Sequence, residues 1–167
     1  MRLSHLDLRV AVLYSAAFLT GAIVMSFEML GSRYLHPYFG SGIYTWAALI
    51  STVLAALAVG YFWGGWLADR RPQPRILGVT VVIGSIYLML LPLFADAILE
   101  AIFRMIENVK LGSLIAALTI MFFPVVFLGM YSPFAIRLLL RSPQQSGSVS
   151  GAVYGISTFG SIIGTWG

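Results

Sequence analysis

Apolar residues gather into long uninterrupted runs along this chain, and charge arrives only in short bursts between them. The sharpest boundary lies at 61–77, YFWGGWLADRRPQPRIL. Upstream of it, residues 43–68 carry no charged side chain, a run long enough for an α-helix to cross the hydrocarbon core of a bilayer. Asp69, Arg70, Arg71 and Arg75 then follow close together, interrupted by Pro72 and Pro74, which cannot continue a regular helix. The pattern predicts the end of a membrane span followed by a short polar turn.

The same reading places further spans at about 10–30, 76–94, 111–134 and 149–167. Residues 31–42, GSRYLHPYFGSG, read as a turn-rich outer loop whose Tyr34, Tyr38 and Phe39 suit the membrane interface. Residues 96–110, DAILEAIFRMIENVK, set Ile98, Ile102 and Val109 at helical spacing against Glu100, Arg104 and Glu107, which predicts an amphipathic helix lying on the outer surface. The fourth apolar run contains Pro124 and ends near Pro133, so a kink and then a break are expected there. Residues 142–148, SPQQSGS, read as a flexible linker.

Loops rich in Lys and Arg stay on the cytoplasmic side. With the N-terminus inside, Arg2, Arg9, Arg70, Arg71, Arg75, Arg137 and Arg141 fall inside and Arg33, Arg104 and Lys110 outside, seven against three. The first apolar run has a weakly basic start but lacks a small-x-small cleavage site followed by a polar region, and is expected to be a span rather than a cleaved leader.

Composition narrows the class. The chain is 59% apolar and 10% charged, against a charged share of about 25% in ordinary soluble domains. The expectation is an all-α integral membrane protein, a polytopic bundle of about five transmembrane helices in a single domain, 1–167, with one outer interfacial helix. The net charge of +4 follows the inner loops and calls for no nucleic-acid partner. The absence of cysteine removes disulfides, thiolate metal sites and thiol catalysis. His5 and His36 lie far apart without carboxylates at ligand spacing, and no catalytic triad, phosphate loop or haem attachment is present, so no catalytic residue, metal or cofactor is expected.

Three places carry candidate chemistry. Glu28 is the one carboxylate inside an apolar span, and ionisable groups there are functional or paired within a bundle; its helical face holds Ala17, Gly21 and Val24 or Met25. Such a carboxylate pairs with a cation or takes up a proton, which suits substrate binding or proton coupling. A solvated position in the headgroup layer is the bland alternative, since Glu28 sits two residues from the expected end of its span. Arg33 is a candidate partner or anion contact on the outer side, with snorkelling to the interface as its alternative. Asp69 stands at the negative end of a helix dipole and is expected to interact with Arg70, Arg75 or a neighbouring helix N-terminus as a conformational latch, or else to be a solvated loop charge. Separately, the last span carries two Gly-x-x-x-Gly pairs, Gly151 with Gly155 and Gly160 with Gly164, which permit close backbone approach. The pairs are nine residues apart, about 180° around a helix, so this helix is expected to be sandwiched between neighbours.

Gly65, Leu67, Ala68, Asp69 and Arg70 resemble the cytoplasmic signature between spans two and three of the major facilitator superfamily, with Pro72 standing where that signature has its second glycine and only Arg75 left of its later basic pair. A wider set resembles the N-terminal membrane portion of the fused transporter and spermidine-synthase-like proteins of bacteria: Glu28, Gly31, Arg33, Leu35, Pro37, Phe39, Gly40, Tyr44 and Trp46, then Gly60, Tyr61 and Gly64, and finally Tyr154, Ser157 to Ser161 and Gly164. The resemblance implies part of a major-facilitator half-bundle in the bacterial cytoplasmic (inner) membrane. It does not carry over aminopropyl transfer, because no Gly-x-Gly-x-x-Gly after a strand is present, and this chain is expected not to be an enzyme. Five spans leave the C-terminal end outside, so a cytosolic attachment needs a sixth helix or another chain. Two functions follow as expectations: a transporter-like protein moving a small polar or cationic metabolite, polyamine-like by resemblance, with another membrane chain or a second copy as partner; or a non-transporting anchor or scaffold for a partner enzyme or membrane complex.

Overall fold

The computed structural model describes residues 5–166, with side chains from residue 8 onward. Arg2, counted above for sidedness, and Gly167 lie outside the described residues. The rest is helix: α1 His5–Phe39, α2 Ile43–Arg70, α3 Pro74–Met105, α4 Val109–Gly129, α5 Tyr131–Leu139, a 3-10 turn Pro143–Gln145, and α6 Ser146–Trp166. Four segments are long and apolar enough to cross a membrane: Leu8–Phe39, Ile43–Arg70, Pro74–Leu93 and Val109–Leu139. Large apolar side chains also cover the outside of the bundle, among them Leu19, Leu54, Phe62, Val82, Leu93, Phe123 and Ile162. A water-soluble protein does not expose apolar surface on that scale, and the chain is a membrane protein. Residues 146–166 form the fifth long helix but are not among those four segments, because serine, threonine and glycine dilute its apolar character.

Two expected boundaries are corrected. The first helix does not stop at residue 30 but runs on to Phe39, and the turn to α2 is only Gly40, Ser41 and Gly42. The polar letters of 31–42 hide a packing stripe: Ala17, Thr20, Gly21, Val24, Phe27, Glu28, Gly31, Leu35 and Phe39 are all buried on one face of α1, spaced by three and four residues. Gly31 is there for contact, since a Cβ on it would press on Met121 and Leu49. The helix ends where Gly40 adopts φ 71°, the left-handed conformation that glycine takes without steric cost.

The second correction removes the separate surface helix at 96–110. Its first ten residues are the end of α3, where Leu91, Ala95 and Leu99 are buried and Ile102 packs against the same core. Glu100 and Arg104, paired one turn apart, face outward. Asn108 then starts a new helix, its Oδ1 accepting from the backbone N–H of Lys110 at 3.0 Å and of Leu111 at 3.3 Å, which satisfies two of the amides that a helix start leaves free. Residues 142–148 are likewise mostly structured, as the 3-10 turn and the first turn of α6.

The expected break in the fourth run falls at Met130, between α4 and α5, and α4 passes through Pro124. Pro133 has no N–H, so the Gly129 carbonyl four residues earlier loses its helical donor. Met130 keeps right-handed dihedrals, φ −58° and ψ −19°, so α5 continues the path of α4.

Backbone contacts at glycine fix how the helices lie. A Cβ at Gly160 would run into the Phe18 carbonyl and one at Gly164 into the Ala22 carbonyl, while Gly21 meets Ser157 in the same way; α1 and α6 are therefore parallel and nearly touching. Gly60 lies on Val126 and Gly129 and Gly64 on Met130, which makes α2 and α4 a second parallel pair. Lipid offers no hydrophobic drive for such pairing, so close van der Waals contact and interhelical hydrogen bonds hold it. Ser26 Oγ donates to the Gly164 carbonyl at 2.8 Å and Tyr131 Oη to that of Leu13 at 2.6 Å.

Candidate functional site

The interior is layered. One apolar cluster contains Val24, Phe27, Leu35, Leu49, Val53, Leu99, Ile120 and Val125; a second contains Ala17, Ala68, Leu77, Tyr131, Phe134 and Val153. On α1 the clusters part between Ala17 and Val24, and on the α4–α5 segment at Met130. A cavity of about 80 Å³ sits at that level, lined by Thr20, Tyr61, Gly129, Ser132, Ser157 and Ser161 among others. Each polar lining residue comes from a different turn of α1, α2, α5 or α6, and none was singled out by sequence reasoning for this role. The available signal was Pro133, whose position four residues after Gly129 marks where backbone polarity is released.

Glu28 is buried, 8% exposed, one turn beyond Val24, which also lines the cavity. Extension of α1 to Phe39 puts Glu28 eleven residues, about 16 Å of helix, from the end of its element. Nearness to the end of its helix is thus no reason to place Glu28 in the headgroup layer. Among the described residues its carboxylate makes no ion pair, the two ion pairs being Arg104 with Glu100 and Arg137 with Asp69. Arg33 is five residues on, turned away from the buried stripe and exposed. It lines a separate open cleft at the end of α1 with Ser32, His36, Ser41, Thr45 and Trp46, so the structure separates Arg33 from Glu28 and gives it imidazole and hydroxyl company.

Asp69 finds its partner across the bundle. Its Oδ1 is 3.2 Å from Arg137 Nε on α5, while the Arg70 guanidinium lies 4.0 Å over the Trp66 ring. Neither Arg70 nor Arg75 forms an ion pair with Asp69 among the described residues. The pair joins the ends of α2 and α5 at the same end of the molecule, with side chains 44% and 77% exposed.

The glycine pairs of α6 divide. Gly160 and Gly164 are buried on α1; Gly151 and Gly155 are exposed, with nothing within contact distance of a Cβ on either. Among the described residues, none lies against the Gly151 and Gly155 face. No group of three or more His, Asp or Glu side chains gathers as a metal site among the described residues.

These features define the class as an all-helical membrane protein whose interior is two apolar clusters with a few buried hydroxyls and one buried carboxylate between and beside them. No family model, curated protein or solved structure matches the chain.

Proposed function

We propose that this chain is a transporter-like membrane protein that moves a small polar or cationic metabolite, with Glu28 as the substrate-recognising or proton-coupling carboxylate. The carrying observation is the burial of Glu28, deep within a helix and without a charged partner among the described residues. Carboxylates in that setting are costly, and proteins retain them where an ion, proton or charged substrate is handled. In this reading α6 is a fifth span, the N-terminus and the Asp69 to Arg75 turn are cytoplasmic, and the membrane is the bacterial inner membrane, as the distribution of arginine and the sequence resemblance suggest. Polyamine-like substrates rest on that resemblance alone. The Asp69–Arg137 pair serves as the latch between α2 and α5, with Arg70 and Arg75 as neighbouring charge.

A second reading, a non-transporting scaffold, is favoured by one observation: the open Gly151 and Gly155 face, which suits a helix of another chain or of a second copy. Glu28→Gln separates the two, because it keeps shape and hydrogen bonding and removes charge. On the transport reading the variant assembles normally and loses uptake or efflux in proteoliposomes offered polyamines and other small cations. Transport at the wild-type rate across the pH range would remove Glu28 from the mechanism.

A further inference from the structure

The two ends of the bundle differ in charge. Where α1 meets α2 and α3 meets α4, Arg33, Arg104 and Lys110 are matched by Asp96, Glu100 and Glu107, all of them exposed. At the other end Arg70, Arg71, Arg75, Arg137 and Arg141 are exposed. Asp69 is the one carboxylate among the described side chains there, and it is paired with Arg137. Arg70, Arg71, Arg75 and Arg141 are left without an ion pair among the described residues. This end therefore holds an excess of positive charge at the end of a membrane span, the level at which a bilayer carries its phosphates.

One of these arginines is built into the lipid-facing wall. Phe62, Trp66 and Arg70 are spaced by four residues and so share a face of α2. That face lies outside the bundle, Phe62 being 72% and Trp66 50% exposed. The Arg70 guanidinium sits 4.0 Å over the Trp66 ring, so the side chain bends back along the helix toward the apolar stripe instead of reaching into water. A guanidinium stacked on an aromatic face keeps the N–H groups of its edge free, and these match the paired oxygens of a phosphodiester. From Phe62 to Arg70 is about 12 Å of helix, close to the depth of one leaflet of a hydrocarbon core about 30 Å thick. An acyl chain lying along Phe62 and Trp66 thus brings its headgroup to Arg70. A zwitterionic lipid would carry its choline into the same excess of positive charge, so the surface favours a headgroup of net negative charge. We propose that Phe62, Trp66 and Arg70 form a binding site for one anionic phospholipid, with Arg71 and Arg75 adding longer-range attraction. Such a site operates whether or not the chain transports, and in whichever leaflet this end lies.

The experiment uses tryptophan fluorescence in reconstituted bilayers. The chain has four tryptophans; Trp46, Trp63 and Trp166 are replaced by Phe, so that Trp66 alone reports. Its quenching is compared in phosphatidylcholine bilayers doped with acyl-brominated phosphatidylglycerol or with acyl-brominated phosphatidylcholine. The expected preference for phosphatidylglycerol at Trp66 is about fivefold, the effect of one basic residue at an anionic surface, and Arg70→Gln in the same background brings it close to one. A chain that keeps only Trp166, exposed at the opposite end of α6, shows no such preference. Equal quenching of Trp66 by the two lipids overturns the site, as does a preference that survives Arg70→Gln. A preference of the same size at Trp166 overturns it too, since it would describe the whole lipid annulus. Loss of the preference on adding soluble glycerol phosphate at constant ionic strength would make this an anion site and refute the lipid. If the single-tryptophan chain does not fold, native mass spectrometry of the wild-type chain and Arg70→Gln after reloading with phosphatidylglycerol reads the same site. The variant is expected to retain one lipid fewer, and equal retention overturns the assignment.

Discussion

The last helix carries the same motif twice with opposite outcomes. Gly160 and Gly164 meet the carbonyls of Phe18 and Ala22, whereas Gly151 and Gly155, half a turn around and two turns earlier, touch nothing among the described residues. Helical geometry makes both pairs equally able to admit a neighbour's backbone; only the position of α1 decides which is used. A glycine pair is thus a capacity for close approach, and its use depends on what the rest of the chain brings alongside. Here α1 is brought to one face because Gly21 on α1 answers Ser157 on α6, so small residues occur on both sides of the seam. The open face has no such counterpart among α1 to α5.

The contrast is broken most strongly at Gly164. Leucine there must displace the Ala22 backbone, which cannot move without parting α1 from α6, and the expected loss is roughly 3 kcal/mol or more, at or above the upper end of overpacking costs. Unfolding of the purified protein in detergent or nanodiscs measures it; a loss under about 1 kcal/mol would mean that the two helices do not touch in the membrane. Leucine at Gly155 is the matching change on the open face. Stability of the isolated chain is expected to hold within about 0.5 kcal/mol, as for other surface substitutions, while any larger assembly seen by crosslinking or light scattering is lost. An assembly that survives Gly155→Leu would show that this face meets lipid. The smallest effect belongs to Asp69→Asn, which removes an exposed ion pair worth about 0.2–1 kcal/mol and should fade further as salt is added. A salt-independent effect larger than that range would mark the Asp69–Arg137 contact as a shielded latch.

What could be read from sequence follows the same division between local capacity and neighbours. Apolar runs and arginine bursts located α2 and the turn at 71–73 closely, because an uncharged run ending in charge and two prolines admits few alternatives. They misjudged 31–42, where Gly, Ser, His and Pro look like a turn until Gly31, Leu35 and Phe39 are seen to meet Met121, Leu49 and Gly112. The surface helix at 96–110 failed for a related reason: Leu91, Ala95 and Leu99 already belonged to the stripe of α3, and the alternation of Glu100, Arg104 and Glu107 described its wet end. Glu28 stood out in the sequence because a lone carboxylate in an apolar run is conspicuous, and the structure adds that it is buried. Thr20, Ser132, Ser157 and Ser161 did not stand out, since single hydroxyls in membrane helices are common and routinely bond their own helix; only the packing of α1, α2, α4, α5 and α6 sets them around one cavity. Arg137, the partner of Asp69, was visible only as a sidedness charge, because nothing in the sequence sets α5 against the end of α2.

The central claim is that the buried carboxylate of α1 belongs to a site that water and ions reach, and it can be tested without knowing the substrate. The chain has no cysteine, so Glu28→Cys and Leu30→Cys can be compared in native membranes by their reaction with a positively charged, water-soluble methanethiosulfonate. Leu30 is an outward-facing apolar residue, 46% exposed, two residues from Glu28 and so at a similar depth on α1; its thiol in lipid stays protonated and inert. A transport site must open to water on one side in some part of its cycle. The account predicts that Glu28→Cys is modified at least about tenfold faster than Leu30→Cys, since the thiolate that reacts forms only where water reaches. Equal inertness of the two thiols would contradict it, and would make Glu28 a sealed structural residue in a scaffold.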